Sequence, residues 1–280
     1  MLISKNDILY RKNKKPIVFD FGLNINQTKK PIVILAHGFK GFKDWGHFNK
    51  IMEYFIENKF VFLKFNFSHN GGTVNQPIDF DDLEAFGNNN YTKELDDLTA
   101  VVDWVCDNEM IPKEELDTNK IYLIGHSRGG GISLIAANED KRIKKLITWA
   151  AVADLINRYP NEILDQWKKE GVLFIPNSRT NQQMPLYYQL AEDTLNNLDR
   201  FNIEKSVKQL TIPYLIIHGK DDEVVTVKEA KSIYSWNNNA ELCLIEDANH
   251  VFGAYHPYTA NHFPEHVISV LQKSLLFLKK

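Results

Sequence analysis

Apolar residues in this chain fall into short runs separated by amphipathic stretches. PIVILAHG (31–38), FVFLKFNF (60–67), KIYLIG (120–125), KKLITWAA (144–151), IPYLIIHG (212–219) and ELCLIEDA (241–248) are almost continuously apolar, the pattern of strands covered on both faces. The spacing predicts helices over 47–57, 92–108, from Arg128 onward, 227–236 and 263–278. Strands and helices in alternation imply an α/β fold, a doubly wound and mostly parallel sheet. The opening DILYRKNKKPIVFDFG reads instead as two strands joined by a charged turn, an antiparallel edge.

Two segments depart from the alternation. Residues 154–208 hold helical fragments and aromatics, in NRYPNEILDQW and MPLYYQLAEDTLNNLDRF, but no evident strand. Inserted between two sheet strands, they read as a helical cap over the strand ends, where open α/β sheets place their ligands. The stretch SHNGGTVNQPIDFDDLEAFGNNN (68–90) follows the second core strand and reaches the same end of the sheet. A single domain spanning 1–280, with 154–208 as its insertion, accounts for the whole pattern.

Composition narrows the function. Apolar residues at 44 % and charged residues at 25 % are ordinary for a globular enzyme, and the net charge of −3 argues against a nucleic-acid partner. Cys106 and Cys243 lack neighbours at metal or redox spacing, which points to a reducing compartment. The first residues form neither a secretory signal nor an anchor, so a cytoplasmic protein without a membrane partner is expected. His256, His262 and His266 lack a compact ligand motif, so neither metal nor cofactor is expected.

Candidate chemistry centres on IYLIGHSRGGGISL (121–134), where Ser127 stands between an apolar run and a cluster of glycines. One reading of such glycines is a plain strand-to-helix turn. They also meet the steric needs of a nucleophile elbow, which projects a serine hydroxyl from the end of a sheet. A serine nucleophile needs a base, and His250 in IEDANHVF follows a core strand. His126 adjoins Ser127 and points away, whereas His37 and His218 sit at strand ends and shape turns. Asp222 in HGKDDEVV supplies a carboxylate to orient the imidazole, with Asp221 and Asp154 as rivals.

The order Ser127, Asp222, His250, together with HGF (37–39), GHSRGG (125–130), HGKDD (218–222) and ANHVF (248–252), resembles the motif set of the α/β-hydrolase superfamily. The arrangement is most similar to cinnamoyl and feruloyl esterases and to serine-aminopeptidase-like relatives. The resemblance implies Ser127 as nucleophile, His250 as general base, Asp222 as its orienting acid, and the backbone N–H groups of Phe39 and Arg128 as oxyanion hole. FNFSHNGGT (65–73) departs from the esterase pattern, which often carries an acidic residue after the strand. A serine at the elbow disfavours dehalogenase, epoxide hydrolase and dienelactone chemistry, and the length leaves no room for the propeller of prolyl-oligopeptidase relatives.

The expected activity is serine hydrolysis of small carboxylic esters with a short acyl or aromatic acid part. Tyr159, Trp167, Tyr187 and Tyr188 in the cap are the candidate pocket wall. An aminopeptidase, with Glu192 or Asp193 holding a substrate ammonium, is one alternative. A non-catalytic ligand-binding protein of the same fold is another.

Overall fold

The computed structural model describes residues 1–280. In chain order the first half comprises β1 (Leu2–Arg11), β2 (Lys14–Leu23), β3 (Lys30–Ala36), α1 (Phe48–Glu57), β4 (Val61–Phe65), α2 (Leu83–Gly87), α3 (Tyr91–Asp107), β5 (Leu116–His126), α4 (Arg128–Glu139) and β6 (Ile143–Trp149). There follow α5 (Asn161–Glu170), β7 (Val172–Asn177), β8 (Gln182–Tyr187), α6 (Gln189–Asn196), α7 (Ile203–Gln209), β9 (Tyr214–Gly219), α8 (Val227–Ser235), β10 (Ala240–Ile245) and α9 (Glu265–Lys279).

Eight strands form one sheet in the order β1-β2-β4-β3-β5-β6-β9-β10. The pairs β1·β2 and β2·β4 are antiparallel and the remainder parallel. The six predicted core strands are the six parallel ones, and the charged hairpin at the start forms the antiparallel edge.

Each face of the sheet has its own core, because alternate strand side chains point to opposite sides. Val33, Leu35, Phe62 and Ile217 pack against Phe48, Ile51, Met52 and Phe55 of α1 and Val267, Val270 and Leu271 of α9. Ile32, Ile34, Leu63, Leu123 and Ile216 face α3, α4 and α8 through Leu98, Val102, Ile132, Ile135 and Ile233. Helices therefore cover both faces. Asn90 caps α3 by accepting from the Lys93 N–H at 2.9 Å, a cap worth about 1 kcal/mol. No helix is long and apolar enough to cross a membrane.

The segment 154–208 differs from expectation. It is not purely helical, since β7 and β8 pair as an antiparallel hairpin from Val172↔Tyr187 to Asn177↔Gln182. The turn SRTN between VLFIPN and QQMPLY carries a short-strand pattern that the aromatic-rich flanks obscure. α5 and α6 flank this hairpin, and Tyr187 donates its hydroxyl to Glu84 on α2. The 68–90 stretch thus props the hairpin from below.

Candidate active site

Strand β5 ends at His126 and α4 begins at Arg128, so Ser127 alone forms the corner. Its backbone lies at φ 56°, ψ −123°, a conformation that costs a side-chain-bearing residue about 1–3 kcal/mol. Its surroundings hold it there: the Ser127 N–H donates to Trp149 O at 2.9 Å, and the Ser127 carbonyl accepts from Gly130 and Gly131. A Cβ on Gly129 would lie 2.2 Å from the His37 carbonyl oxygen. Only glycine lets the start of α4 approach the loop after β3 so closely.

Two further loops converge on the corner. The one after β9 carries Asp222 and the one after β10 carries His250. They cross where a Cβ on Gly219 would lie 2.1 Å from the Ala248 carbonyl oxygen, and the Asp221 N–H donates to that carbonyl at 3.1 Å. The outcome is a hydrogen-bonded line. His250 Nε2 is 3.0 Å from Ser127 Oγ, and His250 Nδ1 is 2.8 Å from Asp222 Oδ2.

Asp222 is 4 % exposed and its other oxygen accepts from the N–H groups of Val224 and Val225 at 2.9 and 2.8 Å. Burial pushes its carboxyl upward, but hydrogen bonds from His218, His250 and the Val225 N–H outweigh that and hold it well below the usual carboxylate range. An ionised carboxylate only accepts, so the His250 proton sits on Nδ1 and leaves Nε2 free to accept from the serine hydroxyl. The rival carboxylates lie elsewhere. Asp221 is exposed, and Asp154 accepts from Ile156 and Asn157 in its own turn.

The histidines beside Ser127 act as braces, His37 buried and His126 partly so. His37 Nε2 accepts from the Phe67 N–H at 3.2 Å while Nδ1 donates to Gly38 O at 2.9 Å. Burial chiefly lowers its pKa to about 4, the Arg128 charge lowers it further, and the Gly38 bond partly opposes both. His126 Nε2 donates to the His250 carbonyl at 3.0 Å, and burial lowers its pKa to about 3.

The loop after β3 is anchored from two sides. Below it, Lys43, Lys64, Asp20 and Asp44 form a buried charge cluster, with Lys43 bound to Asp20 at 2.7 Å and to Asp44 at 2.6 Å. Above it, the Arg128 guanidinium lies 4.2 Å over the Phe39 ring and pairs with buried Glu94 at 2.6 Å. The backbone N–H groups of Phe39 and Arg128 find no acceptor within the protein.

A cavity of about 210 Å³ opens above Ser127 and His250. Phe39, Trp45, Phe48 and Val251 supply apolar wall, and Lys40, Asn177 and Arg179 supply polar wall. A narrow recess of about 20 Å³ adjoins it, sharing Trp45, Phe48, His126 and Val251.

None of the four predicted pocket aromatics lines this cavity, which corrects that expectation. Trp167 is 1 % exposed and donates Nε1–H to Leu186 O at 2.7 Å. Tyr159 and Tyr188 pack edge-on against its ring, at 5.0 and 6.1 Å between centroids, so the three form the inner core of the cap. Tyr187 covers Gly87 on α2. Of the predicted ammonium binders, Asp193 is spent on the Thr92 N–H and hydroxyl at the start of α3, and Glu192 is exposed. Lys40, Trp45, Phe48, Asn177 and Arg179 escaped sequence reasoning. Only the hairpin pattern that carries Asn177 and Arg179 held a signal for any of them.

A mostly parallel sheet flanked by helices, with a strained serine on the turn after its fifth strand, defines the α/β-hydrolase fold. Within that class the chain belongs to the prolyl oligopeptidase family, whose model matches residues 47–275. That match lies within the hydrolase fold itself, so the expectation that lack of room for a propeller sets the chain apart from these relatives is corrected. No curated protein matches the sequence.

Solved structures share the fold at low identity. Est1E from Butyrivibrio proteoclasticus is 19 % identical with a TM-score of 0.69, the match covering 99 % of both chains. The same protein with ferulic acid bound is 21 % identical with a TM-score of 0.67, covering 93 % of this chain and 95 % of that one. Alpha/beta hydrolase domain-containing protein 10 from mouse is 17 % identical with a TM-score of 0.72, covering 98 % of each. The chain is a hydrolase of this type.

Proposed function

We propose that the protein is a serine esterase that cleaves small carboxylic esters through an acyl-enzyme. The carrying observation is the line Ser127 Oγ, His250 Nε2, His250 Nδ1, Asp222 Oδ2, with separations of 3.0 and 2.8 Å, at the floor of the cavity. In this reading Ser127 Oγ attacks the ester carbonyl as His250 Nε2 takes its proton. The oxyanion that forms is received by the N–H groups of Phe39 and Arg128, each worth about 3 kcal/mol in the transition state. His250 then protonates the departing alkoxide, and a water activated by His250 releases the acid and restores Ser127.

An ester is favoured over a peptide by the cavity wall. An aminopeptidase must hold an α-ammonium, and no acidic side chain lines the cavity. The aromatic wall of Phe39, Trp45 and Phe48 suits a short acyl chain or a single ring, in keeping with the ferulic acid bound to Est1E. An apolar ester group also needs less protonation on leaving than an amine does.

The test joins a fluorophosphonate probe with a substrate panel. Labelling at Ser127, with kcat/KM for short aryl or feruloyl esters at least about 100-fold above matched aminoacyl arylamides, is expected; that ratio equals about 2.7 kcal/mol. Equal efficiency on the arylamides would favour the peptidase. An unlabelled Ser127 would favour a binding protein without chemistry.

A further inference from the structure

Two cations line the cavity from adjoining elements. Lys40 comes from the loop after β3 and Arg179 from the turn of the β7–β8 hairpin, and neither meets an acidic side chain in the wall. His37 and His126, the other ionisable groups there besides His250, are held neutral by burial at ordinary pH.

Arg179 is already compensated. Its guanidinium pairs with Asp79 at 2.6 Å and lies 5.5 Å over the Phe42 ring. Lys40 is not: its only partner is the Pro176 carbonyl at a long 3.4 Å. Its backbone is also unusual, with φ 55° in the tight turn closed by Gly41 N–H to Gly38 O at 3.0 Å. That position ordinarily takes glycine or asparagine. The turn thus places a four-carbon cation next to Phe39, whose N–H has no acceptor within the protein. Partial burial lowers the Lys40 pKa, as expected for an ammonium that has given up water without gaining a carboxylate.

We propose that the cavity is an anion-selective subsite, in which Lys40, seconded by Arg179, binds a carboxylate or similar anionic group on the substrate's non-reacting part. The apolar wall of Trp45 and Phe48 takes the remainder. The substrate class is then an ester of a half-acid or of a carboxylated alcohol, not a neutral alkyl ester. This deepens the esterase reading and rests on it. A charge-assisted hydrogen bond in a half-buried site corresponds to a roughly 10- to 100-fold preference.

The test uses two matched pairs of esters, each anionic member compared with its neutral methyl ester. In 4-acetoxybenzoate against methyl 4-acetoxybenzoate the anion sits on the alcohol part; in monophenyl adipate against methyl phenyl adipate it sits on the acyl part. At least one pair should show kcat/KM about 10-fold or more higher for the anion at low salt. Lys40→Met should bring that ratio near one, and Lys40→Arg should retain it. A ratio near one in both pairs, or one indifferent to Lys40→Met, overturns the proposal while leaving the esterase intact. Calorimetric binding of the anionic esters to Ser127→Ala separates the two ideas further. Roughly tenfold weaker binding on adding Lys40→Met upholds the subsite even if the wild type hydrolyses nothing, whereas unchanged binding refutes it.

Discussion

Asp222→Asn isolates the orienting carboxylate, because the amide keeps the shape and changes only what is offered to His250. Asp222 Oδ1 holds the Val224 and Val225 N–H groups, so the variant's carbonyl oxygen stays on that side and its NH2 turns toward His250 Nδ1. Two donors cannot face each other, and the imidazole moves its proton to Nε2. Nε2 then points a proton at Ser127 Oγ across the 3.0 Å gap and has no lone pair to take one. Losing the general base in this way costs about 10^4-fold in kcat, or roughly 5.4 kcal/mol of barrier. KM should change little, since Asp222 is buried behind His250 and outside the cavity wall. The assay is steady-state hydrolysis of an aryl ester by wild type, Asp222→Asn, Asp221→Asn and Asp154→Asn, with circular dichroism to confirm folding. Asp221→Asn and Asp154→Asn should stay within about threefold of wild type, the first being exposed and the second occupied with its own turn. An Asp222→Asn enzyme within tenfold of wild type, beside a crippled Asp154→Asn, would refute the assignment.

Ser127→Ala should fold and lose about 10^4-fold or more in kcat, with stability in urea near that of wild type, since alanine keeps the Cβ that strains the backbone at φ 56°. Trp167→Ala should destabilise by about 3–5 kcal/mol, since the ring is fully buried and its N–H bonded inside the cap; a selective rise in KM for aromatic esters with unchanged stability would return it to the pocket. Acid should weaken the fold early. Burial lowers the pKa of His37, and of His47 buried just before α1, to about 4, so on going below the unfolded value of about 6.5 the unfolded chain takes up protons that the native state refuses. Stability should therefore be level above pH 7 and fall by about 4 kcal/mol by pH 5 for the pair, as read from urea titrations; a flat profile over that window would show that these histidines are not buried neutral. Depressed carboxylates such as Asp222 add their loss only at lower pH.

The parts of this molecule that could be read from sequence share one physical property: their signals are local. A parallel strand covered on both faces is apolar at nearly every position, so PIVILA and IYLIG announce themselves without knowledge of their neighbours. The corner at Ser127 is equally local, because a strand that ends in glycine-flanked serine and runs into a helix meets its own steric needs within ten residues. Asp222 and His250 are legible as candidates because each sits just past a recognisable strand, and topology brings the ends of neighbouring parallel strands together. The cavity wall has no such signature. Arg179 belongs there only because β7 and β8 pair and lean against α2 through Tyr187, and Lys40 only because Lys43 and Lys64 pin its loop from below. The misread aromatics make the same point in reverse. A cap must bury something of its own before it can cover a site, and Tyr159, Trp167 and Tyr188 are the largest apolar surfaces it has. Using them to hold the cap together leaves the tip of its hairpin, with polar Asn177 and Arg179, to line the cavity with the serine. Chemistry at the corner is thus set by the sheet, and selectivity by whatever the cap does not need for its own core.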